Sequence, residues 1–166
     1  MTYIETLTNR LKKLLLEVNI ANNVAIKNGS EIPSVFILAY ERLDTQEIEY
    51  TKFALDTEDE TSKKASKIAL EMTLKQSKEE IKPILLISIL NAWYVQKDIK
   101  EVKEVHDIKV SEDPDKKSCL VLACEFSDRS ITIMKKEESE ELIETVDTYD
   151  SNENYGEFQF ILKRLK

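Results

Sequence analysis

The chain has 166 residues, of which 42% are hydrophobic, and this length and composition suit one folded domain with a buried core. Its 32 acidic and 24 basic residues leave a net charge of −8. That balance argues against direct nucleic-acid binding and against binding to an anionic membrane, because both require a basic face. Two glycines are too few for a glycine-rich phosphate loop, and one histidine excludes a zinc site built from several histidines.

The first predicted element is an amphipathic helix. Apolar residues recur at spacings of three and four between positions 4 and 21, which forms one apolar face. Thr2 and Glu5 have the spacing of a capping box, which predicts the start of the helix. Asn28 and Gly29 predict its end, because glycine readily adopts the left-handed conformation that follows a helix.

Six segments have the composition and length of strands: residues 35–40, 47–55, 84–95, 118–126, 130–135 and 157–162. The first two strands, and later the fourth and fifth, are separated by short polar turns and predict two hairpins. The segment 84–95 is apolar almost without interruption, which is typical of a strand buried on both faces. We therefore predict that it lies in the centre of the sheet.

A second helix is predicted between the second and third strands. Thr57 and Glu60 form another capping-box pattern ahead of it. Its predicted apolar face is narrow and consists of Ala65, Ile68, Ala69 and Met72. The element order α-β-β-α-β-β-β-β predicts an α+β fold, in which two main helices pack on one face of a mainly antiparallel sheet of five to six strands. We expect residues 1–166 to form a single domain.

The first residues lack the basic and then apolar pattern of a secretory signal, and the longest apolar segment is shorter than the roughly 20 residues of a membrane-spanning helix. Cys119 and Cys124 lie five positions apart in one predicted strand, on opposite faces and too far apart for a disulfide. Both features predict a soluble cytoplasmic protein with buried thiols and no contact with a membrane.

The excess negative charge lies in one segment, residues 137–153. The segment has no Lys or Arg and contains these acids: Glu137, Glu138, Glu140, Glu141, Glu144, Asp147, Asp150 and Glu153. The rest of the chain has as many acids as bases. Two interpretations remain open, of which one is a solvated surface segment that includes a short helix over 137–145. The other is a docking segment for a basic surface of another protein.

A second cluster of carboxylates consists of Glu112, Asp113 and Asp115 around Pro114. Such oxygens could bind Mg²⁺ or Ca²⁺ in a metal-dependent hydrolase, with His106 as a general base. The alternative is a polar turn, because aspartate and proline both favour turns.

Trp93 lies at the end of the predicted central strand. An aromatic side chain at the end of a sheet either packs in the core or anchors a partner protein, and the sequence leaves both open.

The segments Asn91-Ala92-Trp93 and Val110-Ser-Glu-Asp-Pro-Asp-Lys-Lys117 carry a resemblance. Over residues 32–135 the chain resembles a group of small bacterial and bacteriophage proteins to which no activity is assigned. In that group an acid precedes the Ala-Trp pair, and an arginine occupies the position of Lys116. The resemblance implies the same order of helices and strands and an origin in a phage or mobile element. An ion pair between those two positions would be absent here, because Asn91 is uncharged.

The sequence favours a non-enzymatic protein-interaction module without a cofactor. We expect its partner to be another protein with a basic surface, bound by the acidic residues of 137–153 and by Trp93. The alternative is the metal-dependent hydrolase that uses the cluster at 112–115. A homo-oligomer that covers a sheet edge is also left open.

Overall fold

A computed structural model describes residues 2–30, 33–55, 59–94, 114–126 and 128–148. The helices and strands in these ranges are α1 (Tyr3–Lys27), β1 (Ser34–Arg42), β2 (Ile48–Leu55), α2 (Glu60–Gln76), β3 (Ile81–Tyr94), β4 (Lys117–Glu125), β5 (Arg129–Lys136) and β6 (Leu142–Thr148). Their order is the predicted α-β-β-α-β-β-β-β, and the α+β class is confirmed. The strand predicted at 157–162 lies outside the described residues. The sixth observed strand, β6, lies instead within the acidic segment.

The six strands form one antiparallel sheet in the order β2-β1-β3-β4-β5-β6. β3 pairs with β1 on one side and with β4 on the other, so the predicted central position of this strand is confirmed. Both predicted hairpins are present, as β1–β2 and β4–β5. The end strands of the described sheet are β2 and β6.

The two helices pack on opposite faces of the sheet, so the prediction that they share one face is wrong. Leu11 and Leu15 of α1 form a cluster with Ile87 of β3. Leu70 of α2 belongs to a different cluster, which contains Leu86 of β3. Successive residues of a strand point to opposite faces, so the neighbours Leu86 and Ile87 face different helices. β3 is largely apolar because each of its faces is covered by a helix.

α1 begins and ends as its sequence predicts. The Glu5 amide donates to the Thr2 hydroxyl oxygen over 3.2 Å, and the Thr2 amide donates to a Glu5 carboxylate oxygen over 2.8 Å, which completes the capping box. Asn28 is the C-cap, and Gly29 follows with a φ of 74°, the left-handed conformation that glycine adopts at little cost. The helix is therefore fixed at both ends by local sequence.

α2 differs from its prediction in both its start and its buried face. Its N-cap is Asp59, whose side chain accepts a hydrogen bond from the Ser62 amide over 2.7 Å, whereas Thr57 lies outside the described residues. The side chains that face the sheet are Leu70 and Leu74. The apolar face predicted from the sequence, which consists of Ala65, Ile68, Ala69 and Met72, is exposed to solvent.

Candidate protein-binding site

The acidic segment begins as a turn and continues as a strand, so the short helix considered for residues 137–145 is absent. Glu137 and Glu138 lie in the turn that follows β5, and β6 begins at Leu142. β6 pairs with β5 from Arg129↔Thr148 to Lys135↔Leu142. Leu142 packs against the α1 cluster, which attaches the segment to the core.

The carboxylates of the described part of this segment are exposed. They are Glu137, Glu138, Glu140, Glu141 and Glu144, and we call this set the acidic edge. Within the described residues, Glu144 is the member with an ion pair, which it forms with Lys12 of α1. The other four carry negative charge on the turn that leads into an end strand. These four have no ion pair within the described residues, so their combined field attracts cations.

An open groove of about 300 Å³ separates α1 from β6. Its lining residues are Ile4, Glu5, Thr8, Asn9, Glu144 and Val146. We call it the α1–β6 groove. Val146 is 53% exposed there although it is apolar, and Glu144 and Glu5 place carboxylates on its two walls. The groove thus combines apolar surface with negative charge next to the acidic edge.

Within the described residues, the outer edge of β6 has no backbone partner. β5 occupies one side of β6, and no hydrogen bond joins the other side to any described residue. An end strand of this kind presents amide and carbonyl groups to which an extended segment of another chain can add.

The remaining residues predicted for partner binding are described only in part. Asp147 lies in β6 opposite Ser130, but its side chain is outside the described residues, as is the whole of Asp150. The backbone of Trp93 pairs with Ser118 near the end of β3, and its side chain is likewise outside. The part these three residues take in binding therefore stays a prediction.

The structure brings no metal site together within the described ranges. Asp115 is exposed in the turn before β4, whereas Glu112, Asp113 and His106 lie outside the described residues. In the described residues no three side chains among His, Cys, Asp and Glu are close enough to hold a metal ion. The hydrolase alternative stays a prediction.

The two cysteines are buried free thiols on opposite faces of β4. Burial raises the pKa of Cys119 to about 11 and that of Cys124 to about 12. Both thiols are therefore protonated at neutral pH, and a protonated thiol is a poor nucleophile. They act as core residues, in agreement with their positions in β4.

Asn91, which departs from the group that the sequence resembles, lies against α1. The Asn22 side-chain amide donates a hydrogen bond to the side-chain oxygen of Asn91 over 3.3 Å. A neutral amide satisfies this buried partner without introducing a charge beside the α1 cluster. Asn91 thus has a structural role in joining the sheet to the helix.

Sequence reasoning located the acidic edge but missed the α1–β6 groove. One signal for the strand β6 was available, since Ile143, Thr145 and Val146 are strand-forming residues within the charged run. The many carboxylates around these residues made the segment resemble a solvated loop or helix rather than a strand.

In comparisons with known proteins, no family model, curated protein or solved structure matches this chain. No helix in the described residues combines the length and the apolarity needed to cross a membrane.

Proposed function

We propose that the protein is a non-enzymatic interaction module that binds a basic, extended segment of another protein along the acidic edge. The partner segment would add to the outer edge of β6 and place apolar side chains in the α1–β6 groove. The observation that carries this proposal is the position of the acidic edge in the turn before β6 and in β6 itself. Charge, apolar surface and backbone groups without a partner among the described residues occur together there.

Charge complementarity supports a basic partner. Four of the five carboxylates of the acidic edge have no ion pair within the described residues, so lysine or arginine side chains can approach them without displacing a cation. Such charges guide encounter and fix the register of a bound strand more than they add affinity. Binding should accordingly weaken as salt screens the charges.

The shape of the site supports an extended partner. Side chains of a strand alternate between two faces, so every second residue of an added strand would point toward α1. The exposed surface of Val146 and Ile4 in the groove accepts apolar residues at those positions. The resemblance to bacterial and bacteriophage proteins supports a setting in a phage or mobile element.

A direct test uses a peptide of about ten alternating lysine and valine residues, labelled for fluorescence anisotropy. We expect it to bind the wild-type protein at low salt and to dissociate as salt is added. The variant Glu137→Gln, Glu138→Gln, Glu140→Gln, Glu141→Gln should bind about tenfold more weakly or worse, because each exposed charge contributes a few tenths of a kcal/mol or more.

The matched control neutralises four carboxylates elsewhere, in Glu17→Gln, Glu71→Gln, Glu79→Gln, Glu80→Gln. It has the same net charge as the first variant and should bind the peptide as the wild type does. Val146→Gln, which places a polar group in the groove, should weaken binding without changing the charge. Equal losses in the two neutralised variants, or no binding to the wild type at low salt, would contradict the proposal.

A further inference from the structure

The second end strand, β2, differs from β6 in having no net charge, and two of its large apolar side chains are exposed. It is eight residues long and contains no proline. β1 occupies one side of it, and no hydrogen bond joins its other side to any described residue. Ile48 is 73% exposed and Tyr50 68% exposed on the same face of this strand. A long, exposed edge without net charge is normally protected in a monomer, because it pairs readily with another strand.

The geometry points to a second copy of this chain as the occupant of that edge: we infer that β2 pairs antiparallel with β2 of another molecule and forms a twofold dimer. The two end strands differ in charge. β2 contains one acid, Glu49, and one base, Lys52, and is neutral. β6 contains two acids and no base and follows a turn with four more, so self-pairing of β6 would bring like charges together.

The register of the β2 pair follows from the pleat. Opposite residues of antiparallel strands point to the same face, so the twofold axis must pass midway between the two copies of one residue. An axis at Thr51 places each Tyr50 opposite Lys52 of the other copy and the two Thr51 residues opposite each other. Glu49 then lies opposite Phe53, so no like charges face each other. An axis at Tyr50 would instead place Ile48 opposite Lys52.

A contact within one chain already shows that Tyr50 and Lys52 are compatible neighbours. The Lys52 ammonium lies 5.8 Å from the centre of the Tyr50 ring, within the range of a cation–π interaction. In the dimer each lysine has a second ring at a directly opposite position, and threonine pairs at opposite positions are favourable in antiparallel sheets. The edge is self-complementary, which a twofold interface requires.

The dimer should be weak, because an edge of eight residues, about 27 Å long, buries less surface than a standard interface. We therefore expect a reversible equilibrium between monomer and dimer. Sedimentation of the full chain over about 1 μM to 1 mM should show it, with no species larger than the dimer.

The register is tested by two variants, each of which should weaken the dimer alone and restore it when the two are mixed. Tyr50→Lys places two pairs of lysines opposite each other, and Lys52→Glu removes both cation–π contacts; each should weaken the dimer about fivefold to thirtyfold. A mixture of the two variants should dimerise again, because the introduced lysine of one faces the introduced glutamate of the other while a Tyr50–Lys52 pair remains. Met72→Lys, at an exposed position of α2, is the control and should dimerise as the wild type does.

A cross-link gives a second, independent measurement. Thr51→Cys places thiols at the twofold axis, where opposite Cα atoms are about 4.5 to 5.5 Å apart and a disulfide can form. Mild oxidation should give a covalent dimer with Thr51→Cys and none with the exposed control Met72→Cys.

A wild-type protein that is monomeric over the whole concentration range would overturn the inference, as would a mixture of variants that associates no better than its components. Species that keep growing beyond the dimer would also overturn it. None of these outcomes depends on the basic partner, so failure here and failure of the proposed function are distinguishable.

Discussion

The buried face of α2 gives the sharpest test of the fold, because the sequence and the structure indicate different residues. Leu70 is 7% exposed and contacts the cluster that contains Phe36, whereas Ile68 is 55% exposed. Leu70→Ala removes three carbons from this cluster, at roughly 0.8 kcal/mol each, so the transfer contribution is about 2.4 kcal/mol. The cavity left behind raises the expected loss of unfolding free energy to about 3 kcal/mol.

Ile68→Ala should cost less than about 1 kcal/mol. More than half of this side chain is already in water, and alanine has a higher helix propensity by a few tenths of a kcal/mol. Urea unfolding followed by circular dichroism measures both variants, with unchanged m-values as the sign that the same transition is observed. Leu74→Ala and Met72→Ala form a second matched pair. A larger loss for Ile68→Ala than for Leu70→Ala would refute the assignment of the buried face.

Two further predictions concern the thiols and the ion pair near the groove. Because burial raises the pKa of Cys119 to about 11 and that of Cys124 to about 12, only the unfolded chain loses these protons just above pH 9. The unfolding free energy should therefore fall with rising pH above about 9, by up to about 1.4 kcal/mol per thiol per pH unit, relative to a variant with alanine at both positions. Parallel pH profiles of the two proteins would contradict this. For Lys12 and Glu144, which are partly exposed, a double-mutant cycle with alanine should give a coupling below about 1 kcal/mol that decreases with salt. A coupling above about 2 kcal/mol would show that the pair is less accessible to water than its exposure indicates.

The sequence was most informative where one physical requirement determines the pattern. A strand covered on both faces must be largely apolar, and β3 could be placed at the centre on that ground alone. The same observation also implied cover on both sides of the sheet, although the prediction placed both helices on one face. The ends of α1 were predictable because capping depends on residues within a few positions of each other.

The sequence was less informative where two patterns compete. α2 has two apolar stripes, one through Ile68 and Met72 and one through Leu70 and Leu74, and periodicity alone does not choose between them. The structure buries the pair of leucines, which removes more apolar surface from water than the alanine-rich stripe would. The α1–β6 groove was not predictable, because it depends on the approach of residues more than 130 positions apart.

The division of the core between the two faces of the sheet has a consequence for synthesis on the ribosome. The α2 cluster draws its buried residues from positions 36 to 86, so it can assemble once the first half of the chain has emerged. The α1 cluster needs Ile131 and Ile133 of β5, which are made more than 100 residues after Leu15. α1 is therefore translated before the other described elements and is one of the last of them to be packed. Its apolar face stays uncovered for most of translation. Completion of the α1 cluster requires contacts between residues far apart in sequence, and such contacts slow folding.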